Sequence, residues 1–248
     1  MSDFGYREVD PEEKTRLVGQ VFSSVADRYD LMNDLMSVGI HRLWKRHFVA
    51  ACNMRPGQRV LDLAGGTGDI AELALRRVGN GRDHRGAVVV ADINRRMLAA
   101  GRRRMDDRGK VSGLSWMQVN GERLPFADRS FDHVTIAFGL RNITDKPAAL
   151  ADMNRVLKPG GQVHVLEFSH VGPKPLAKAY DTWSFQVLPR LGQAVAGDRE
   201  SYQYLAESIR RFPDQETLAG MLGDAGFERV RYENLSAGIA AIHHGARI

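Results

Sequence analysis

The sequence predicts an α/β protein built on a parallel sheet, and three observations in its first half support this fold class. A short apolar run at 60–63 is typical of a buried strand. Three of the next five residues are glycine, and helical spacing begins at Ile70. A second apolar run at 87–91 ends in Asp92. A strand, a glycine turn and a helix are how a parallel α/β sheet forms a nucleotide pocket.

The glycine turn and Asp92 together indicate a nucleoside cofactor. Glycine lets the backbone approach a ligand without a Cβ, and an acid 24 residues after Gly68 can bind ribose hydroxyls. The sequence Gly-x-Gly-x-x-Ala at 66–71 also satisfies the loose dinucleotide fingerprint. However, Asp62 and Asp69 flank the turn, where a pyrophosphate would need a positive pocket and the cationic S-adenosylmethionine would be attracted. S-adenosylmethionine is therefore favoured, and a dinucleotide stays open as the alternative.

The composition limits the class of protein. A chain of 248 residues, 43% hydrophobic and 26% charged, fits a globular α/β domain with appendages. No apolar stretch approaches the roughly 20 residues that span a bilayer, and the polar N-terminus is unlike a secretory signal, so we expect a cytoplasmic location. Cys52 is the only cysteine, which excludes an intramolecular disulfide. The pair His243-His244 has no third ligand at metal spacing, so no metal is expected.

The positive charge is gathered in clusters. The net charge is +5 and the pI is near 9.5, with arginine clusters at 76–77, 95–96, 102–104 and 210–211. Nucleic acid, an anionic membrane surface and solvated helix faces are competing interpretations. The clusters fall on predicted helices without interleaved aromatic residues, so no nucleic-acid partner is expected. Transient contact with a membrane surface is compatible with these charges and stays open.

Residues 1–53 are predicted to form an N-terminal helical arm and lid. The polar segment 1–19 indicates a mobile arm or a short helix. Between 20 and 51, apolar residues recur at spacings of three and four, as in one or two amphipathic helices outside the sheet. Polar clusters at 29–34 and 39–46 favour a lid over the substrate. The alternative is a helix packed on the domain with its polar face in water.

The sheet domain is predicted to occupy 54–248. Asn94 should cap a helix that ends near Asp106, and a third strand at 114–119 should end at Asn120 and Gly121, beside the adenine edge. The remaining predicted elements are a strand at 130–138, a helix at 148–157, a turn at 158–161, a strand at 162–168, a helical insertion over the site at about 173–212, a helix at 213–226, and an edge hairpin at 227–233 and 239–243.

Arg141 and Asn142 follow the predicted strand at 130–138. Ligands of open parallel sheets bind at the carboxyl ends of the strands. Both side chains are therefore predicted to project toward the transferred methyl group. A purely structural ion pair is the alternative for Arg141.

Several motifs resemble those of a known enzyme family. The glycine stretch, Asp92, Asn120 and the turn at 158–161 look like a class I S-adenosylmethionine-dependent methyltransferase. Further motifs closely resemble the UbiE-type ubiquinone/menaquinone biosynthesis C-methyltransferases, and the likeness covers almost the whole chain. They are Tyr29-Asp30-x-Met32-Asn33, Gly39-Ile40-His41-Arg42-x-Trp44-Lys45, Phe138-Gly139-Leu140-Arg141-Asn142, Arg155-Val156-Leu157-Lys158-Pro159-Gly160-Gly161, Leu166-Glu167-Phe168-Ser169, Tyr202-x-Tyr204-Leu205-Ala206-Glu207-Ser208-Ile209-Arg210 and Pro213-Asp214-Gln215.

The resemblance implies a doubly wound, Rossmann-like sheet of seven strands with the last strand antiparallel. Helical lid segments are expected at the N-terminus and before the last strand pair. Residue by residue, the resemblance places the cofactor on Thr67, Asp92, Asn120 and Gly121, to which the glycine turn adds Gly66. Three residues depart from the expected pattern. Ala64 stands where the common S-adenosylmethionine loop has glycine, although the UbiE family tolerates alanine there, Ala137 stands where a serine often faces the cofactor, and Gly121 stands where alanine is frequent.

The implied reaction is transfer of a methyl group from S-adenosylmethionine to a ring carbon of a polyprenylated benzoquinol or of demethylmenaquinol. Alignment of the reacting atoms supplies much of the acceleration in such a displacement. Arg141 is the predicted cation beside the developing phenolate, and Asn142 the predicted orienting residue. An arginine stays protonated, so a water, His41 or an acid of the lid is the expected base.

The polyprenyl substrate predicts an apolar channel under the helical cover and access from the inner face of a membrane, without a membrane span. A homo-oligomer and a complex of quinone-biosynthesis enzymes both stay open, as does the preferred quinone. Two other functions remain as alternatives at this stage. One is a nicotinamide-dependent oxidoreductase, from the loose glycine fingerprint, and the other is a non-catalytic quinone-binding protein.

Overall fold

The computed structural model describes residues 1–24, 34, 37, 39–79, 86–110, 112–172, 174–196 and 198–248. Its strands are β1 (Ser2–Phe4), β2 (Arg7–Val9), β3 (Arg59–Leu63), β4 (Ala87–Asp92), β5 (Leu114–Gln118), β6 (Phe131–Ala137), β7 (Leu157–Phe168), β8 (Glu228–Leu235) and β9 (Ala240–Ala246). Its helices are α1 (Pro11–Ser24), α2 (His41–Ala51), α3 (Asp69–Val78), α4 (Arg95–Asp107), α5 (Lys146–Val156), α6 (Lys174–Thr182), α7 (Leu188–Ala196), α8 (Arg199–Arg211) and α9 (Gln215–Asp224). Short 3₁₀ turns cover Leu140–Asn142 and Ser236–Gly238, and a π-helical turn, Trp183–Val187, joins α6 to α7.

Seven of the described strands form one sheet, in the order β5-β4-β3-β6-β7-β9-β8. Neighbours from β5 to β7 are parallel, whereas β9 runs antiparallel to both β7 and β8. The predicted seven-stranded sheet with an antiparallel last strand is therefore confirmed. The strand order reverses between β3 and β6, and ligands of open α/β sheets bind beside such a reversal, at the carboxyl ends of the strands.

Helices cover both faces of this sheet. Val60 and Leu61 are neighbours on β3, and the alternation of strand side chains sends them to opposite faces. Val60 packs in a core with α2, α3 and α8, whereas Leu61 packs in a second core with α5 and α9. The sheet is therefore doubly wound, as predicted. The loops at the strand ends therefore lie between the helix layers that pack on the two faces of the sheet.

The N-terminal segment differs from the prediction of a mobile arm or short helix. β1 and β2 form an antiparallel ribbon in which Ser2 pairs with Val9, and α1 follows it directly. The ring of Phe4 stacks on that of Tyr204 in α8, with centroids 4.3 Å apart, and the N–H of Tyr6 donates to Glu207 Oε2 at 3.1 Å. The ribbon is therefore packed on the helical insertion.

Other elements confirm or correct the prediction. The helical insertion at about 173–212 is confirmed by α6, α7 and α8, and α2 confirms a helix within 20–51. The predicted turn at 158–161 belongs to β7, because Gly160 donates its N–H to the carbonyl of Arg247 at 2.7 Å and continues the pairing. Apart from Asp34, the polar cluster at 29–34 lies outside the described residues.

The division of the chain at residue 53 stays a prediction. No helix in the described part of the chain is both long and apolar enough to cross a bilayer.

Candidate functional site

The loop between β3 and α3 takes its path because its side chains are small or absent. Gly68 has a φ of 81°, and a Cβ there would lie 2.7 Å from the ring of Trp116. A Cβ on Gly65 would lie 2.7 Å from Val90 Cγ1. Ala64 adopts a φ of 50°, in a region that costs an L-residue about 1 kcal/mol. The backbone is thereby exposed to whatever lies above the sheet.

Asp92, at the end of β4, faces this loop. Its Oδ2 accepts the N–H of Gly66 at 2.9 Å, and its Oδ1 accepts the N–H of Asn94 at 2.7 Å. Burial raises the pKa of the Asp92 carboxyl to about 6, although the backbone N–H groups oppose the shift. Asn94 caps α4 as predicted, because its side chain accepts the N–H groups of Arg96 and Met97. Backbone donors therefore hold the carboxylate at the loop.

A cavity opens beside Asp92, at the carboxyl ends of β3, β4 and β6. Its volume is about 830 Å³ with its open mouth included, within the range of small-molecule sites. The predicted residues that line it are Gly66, Asp92, Asn120, Gly121 and Asn142. Thr67 and Arg141 are not among its lining residues. The cavity therefore brings the predicted cofactor residues Gly66, Asp92, Asn120 and Gly121 together with Asn142.

Helix α1 forms a wall of the same cavity, through Thr15, Val18, Gly19 and Phe22. Asn94 ties this helix to α4, because its Nδ2 donates to the carbonyl of Gly19 at 3.2 Å and to Ser23 Oγ at 3.0 Å. The spacing of three and four between these wall residues is a helical signal in the sequence. Three of the four lie in the segment 1–19 that is predicted to be an arm or a short helix, and none is a predicted site residue.

Arg141 lies in a buried ion pair beneath the loop that follows β6. Its Nη1 lies 2.7 Å from Glu167 Oε1, and both side chains are at most 2% exposed. The same Nη1 also donates to the carbonyl of Phe138, whose φ is 56°. The backbone N–H of Arg141 donates to Glu167 Oε2 at 3.3 Å. Arg141 therefore fixes the shape of the loop, and its catalytic role stays a prediction.

Asn142 lies next in the chain, and its side chain is held from outside the sheet. Tyr204 of α8 donates its hydroxyl to Asn142 Oδ1 at 2.9 Å. Burial raises the pKa of the Tyr204 hydroxyl, so it stays a donor. With Oδ1 occupied by this bond, the amide NH₂ is the end of Asn142 left for the cavity.

The two acids that flank the glycine turn correct the electrostatic argument for the cofactor. Asp62 is buried under the loop, where Thr135 Oγ1 donates to it at 2.9 Å and burial raises its pKa to about 7. Asp69 lies 2.7 Å from Lys45 Nζ and also pairs with Arg104. Burial would raise the pKa of Asp69, but these two cations lower it well below its usual value. Neither acid lines the cavity, so the charge near a ligand comes from other groups.

In the described part of the chain, the charged side chains that line the cavity are Asp92 and Glu122, and the loop after β5 carries Glu122. Asn120 is exposed, and its Oδ1 accepts the N–H of Glu122 at 3.0 Å. Glu122 lines the cavity and accepts the N–H groups of Thr144 and Asp145 at 3.1 and 3.0 Å. A Cβ on Gly121 would lie 3.2 Å from Ile143 Cδ1, so the alanine common in the family could be accommodated by a small shift of a flexible side chain.

His41, named above as an expected base, does not line the cavity. It is buried, and its Nδ1 lies 2.9 Å from Ser37 Oγ. Burial lowers the pKa of His41 to about 4. Its role as the base stays a prediction, without a contact to the cavity among the described residues.

The histidine near the end of the chain has partners that the sequence did not reveal. His244 Nδ1 lies 2.7 Å from His164 Nδ1, and His164 Nε2 lies 3.0 Å from His133 Nδ1. These distances are those of hydrogen bonds between neutral imidazoles on β6, β7 and β9. Among the described residues, no group of three or more His, Cys, Asp or Glu side chains is arranged to hold a metal ion.

The doubly wound sheet, the glycine loop and an acid at the end of the second strand define a Rossmann-like protein that binds a nucleoside cofactor. Its fold resembles that of a SAM-dependent methyltransferase from Aquifex aeolicus, with a TM-score of 0.57 at 15% identity over 97% of this chain and all of the other. The chain belongs to the ubiE/COQ5 methyltransferase family, whose model matches residues 9–247.

Full-length relatives agree with this assignment. The "Ubiquinone/menaquinone biosynthesis C-methyltransferase UbiE" of Xanthomonas axonopodis pv. citri is 60% identical over 245 residues, covering 99% of this chain and 95% of the relative. The protein of the same name from Yersinia pestis (strain Pestoides F) is 57% identical over 242 residues, covering 98% and 95%. The resemblance, the fold class and the methyltransferase class predicted from the sequence are confirmed.

Proposed function

We propose that this chain transfers a methyl group from S-adenosylmethionine to a ring carbon of a polyprenylated quinol. The acceptor is the benzoquinol of ubiquinone synthesis, demethylmenaquinol, or both. The observation that carries the proposal is the cavity that both Asp92 and Asn142 line. The names of the full-length relatives support the same activity.

The cofactor end of the cavity fits the methyl donor. Gly66 lines the cavity and carries no Cβ, so a nucleoside can approach the backbone there. Asp92 is placed to accept the ribose hydroxyls, and Asn120 and Gly121 to border the adenine. Thr67 is buried outside the lining, and we assign it to the geometry of the loop.

The acceptor end orients the quinol. S-adenosylmethionine supplies the electrophilic methyl group, which leaves its sulfonium for the ring carbon, and the ring then loses a proton. Asn142 donates its amide to the ring oxygen, which holds the ring carbon in line. Arg141 acts as a positioning residue, since its guanidinium is occupied by Glu167 and Phe138. A water, His41 or an acid of the lid remains the candidate base.

The polyprenyl tail requires an apolar path out of the site. Val18, Phe22 and Ile143 line the cavity on the side of α1. Each buried methylene of the tail contributes about 0.8 kcal/mol. We infer that the tail leaves between α1 and the loop after β6, and that the protein works at the cytoplasmic face of the membrane. Self-association or docking to other quinone-biosynthesis enzymes belongs to the same proposal.

Methyl transfer from radiolabelled S-adenosylmethionine to demethylated quinols tests the activity. We expect label in the quinol and a large loss in Asp92→Asn and Asn142→Ala. Unlabelled quinol with intact wild-type protein would contradict the proposal and favour a non-catalytic quinone-binding protein. The quinones that accumulate in cells lacking the chain identify the acceptor.

A second measurement separates the roles given to Arg141. If Arg141 is a positioning residue, Arg141→Lys should restore part of the turnover lost in Arg141→Ala without a change in the pH dependence of kcat. Full turnover in Arg141→Ala with unchanged cofactor binding would remove it from the mechanism altogether.

A further inference from the structure

A second cavity lies behind the cofactor site, where the N-terminal ribbon meets α1 and the start of α5. It encloses about 490 Å³ with its mouth included. Apart from Met1, the side chains that line it are polar: Ser2, Asp3, Glu8, Lys14, Thr144 and Lys146. Nothing in the methyl-transfer reaction uses this cavity.

Two lysines in this cavity, Lys14 and Lys146, donate to the same backbone carbonyl oxygen. Lys14 is only 2% exposed, and its Nζ lies 3.5 Å from the carbonyl oxygen of Ile143. Lys146 Nζ donates to the same oxygen at 3.1 Å. Neither lysine forms an ion pair within the described part of the chain. Burial, followed by the charge of Lys146, lowers the pKa of Lys14 to about 8.

The neighbouring charges are largely engaged elsewhere. Asp3 lines the cavity, and its charge opposes the fall in the pKa of both lysines, but among the described residues it forms no ion pair with either and lies 3.9 Å from Arg211. Arg141 is paired with Glu167. Glu122 accepts two backbone N–H groups. Glu8 is exposed at the cavity edge. The two ammonium groups are therefore the charges that the protein leaves least compensated at this point.

A buried ammonium without an anion is unfavourable, because its desolvation is not offset by a carboxylate. A third cavity shares Asp3, Lys14 and Lys146 with the second, so both lysines border two neighbouring cavities. Thr144 and Ser2 add hydroxyl donors to the lining. A tetrahedral oxyanion presents enough acceptors to bridge both lysines and a hydroxyl, and lysine binds phosphate as a point charge.

We propose that the cavity between Lys14 and Lys146 binds a phosphate group. The group belongs either to free phosphate in the cell or to the headgroup of an anionic phospholipid at the membrane surface. The site is separate from the methyl-transfer chemistry, so it can be tested without turnover.

The test uses inorganic phosphate on the full-length protein, titrated calorimetrically and followed by thermal unfolding at an ionic strength kept constant with chloride. We expect saturable binding and a rise in Tm for the wild type, and binding at least tenfold weaker in Lys14→Met. Without phosphate, Lys14→Met should melt at or above the wild type, because it removes an uncompensated buried charge. Lys146→Met is a second variant with the same expected loss of phosphate binding.

The exposed Lys178 of α6 supplies the matched control, since Lys178→Met removes one positive charge away from the cavity. Flotation with vesicles of phosphatidylglycerol or phosphatidylcholine distinguishes the two sources of phosphate. Phosphate binding that depends on Lys14 supports a free anion, and retention on phosphatidylglycerol alone that depends on Lys14 supports a lipid headgroup. Equal responses of wild type, Lys14→Met and Lys178→Met in both assays would overturn the proposal.

Discussion

The two loops that border the cofactor cavity are held in shape by opposite means. The loop after β3 and the loop after β6 each contain one non-glycine residue at positive φ, Ala64 at 50° and Phe138 at 56°. The first loop relies on side chains that are absent, at Gly65 and Gly68. The second relies on the buried guanidinium of Arg141. The cofactor half of the site is thus shaped by side chains packed closely against glycine, and the acceptor half by a buried ion pair.

Breaking the charge pair should have the largest effect. Removal of one partner of a buried ion pair costs about 3–5 kcal/mol, so Arg141→Met and Glu167→Met should each strongly lower the free energy of unfolding. The double variant Arg141→Met/Glu167→Met should be less destabilised than the sum of the two changes. Chemical denaturation measures all of them. Additive losses would mean that the two groups act independently and that the acceptor loop has another support.

Adding a side chain to the glycine loop after β3 should have the next largest effect. Gly68→Ala places a Cβ against Trp116 at a φ of 81°, which should cost about 1–3 kcal/mol and weaken cofactor binding. Gly220→Ala is the matched control, because nothing lies within 4 Å of its Cβ position and alanine stabilises a helix interior by about 1 kcal/mol. Calorimetry with S-adenosylhomocysteine and thermal unfolding report both effects. Unchanged affinity in Gly68→Ala would contradict the role given to this loop.

Acid should weaken the cofactor half specifically. The pKa of Asp92 is raised to about 6, so the group is an ionised acceptor above that pH and becomes protonated below it. Affinity for S-adenosylhomocysteine should then be constant above pH 7 and fall about tenfold per pH unit below pH 6. Asp92→Asn should bind more weakly at pH 8 and lose this dependence. A wild-type affinity that is flat from pH 5 to 8 would exclude Asp92 as the ribose acceptor.

The smallest effect is expected from removing the hydrogen bond that Tyr204 donates to Asn142. Tyr204→Phe removes one hydrogen bond, worth about 0.5–1.5 kcal/mol, and frees the Asn142 amide to rotate. We expect a lower kcat with unchanged affinity for S-adenosylhomocysteine. Tyr232→Phe is the control, since Tyr232 donates to Glu216 at 2.6 Å on the exposed surface. Similar kinetics for both tyrosine variants would show that Tyr204 has no part in orienting Asn142.

The cofactor half of the site was easier to predict from the sequence than the acceptor half, because its interacting residues are closer together along the chain. The glycine turn and Asp92 are short-range signals, and both were found. The partners of the acceptor loop are remote, because Arg141 meets Glu167 on β7 and Asn142 meets Tyr204 on α8. A pattern of neighbouring residues cannot show such pairs.

The prediction based on the charges beside the glycine turn was the least accurate. Asp69 looked available to a cationic ligand, but Lys45 and Arg104 from two other helices neutralise it. The ribbon of β1 and β2 was missed because two strands of three residues are too short to show alternation. In contrast, α1 has a helical spacing at Thr15, Val18 and Phe22 that the prediction divides between an arm at 1–19 and a helix that begins near 20.

Ala64 and Gly139 have room for one methyl group between them. A Cβ on Gly139 would lie 2.4 Å from the Cβ of Ala64, and only Ala64 has a positive φ of the two. We therefore expect substitutions at these two positions to be coupled, since alanine at 139 needs glycine at 64. In a chain with glycine at 64 and alanine at 139, the methyl group between the two loops would belong to the loop after β6 instead of the loop after β3.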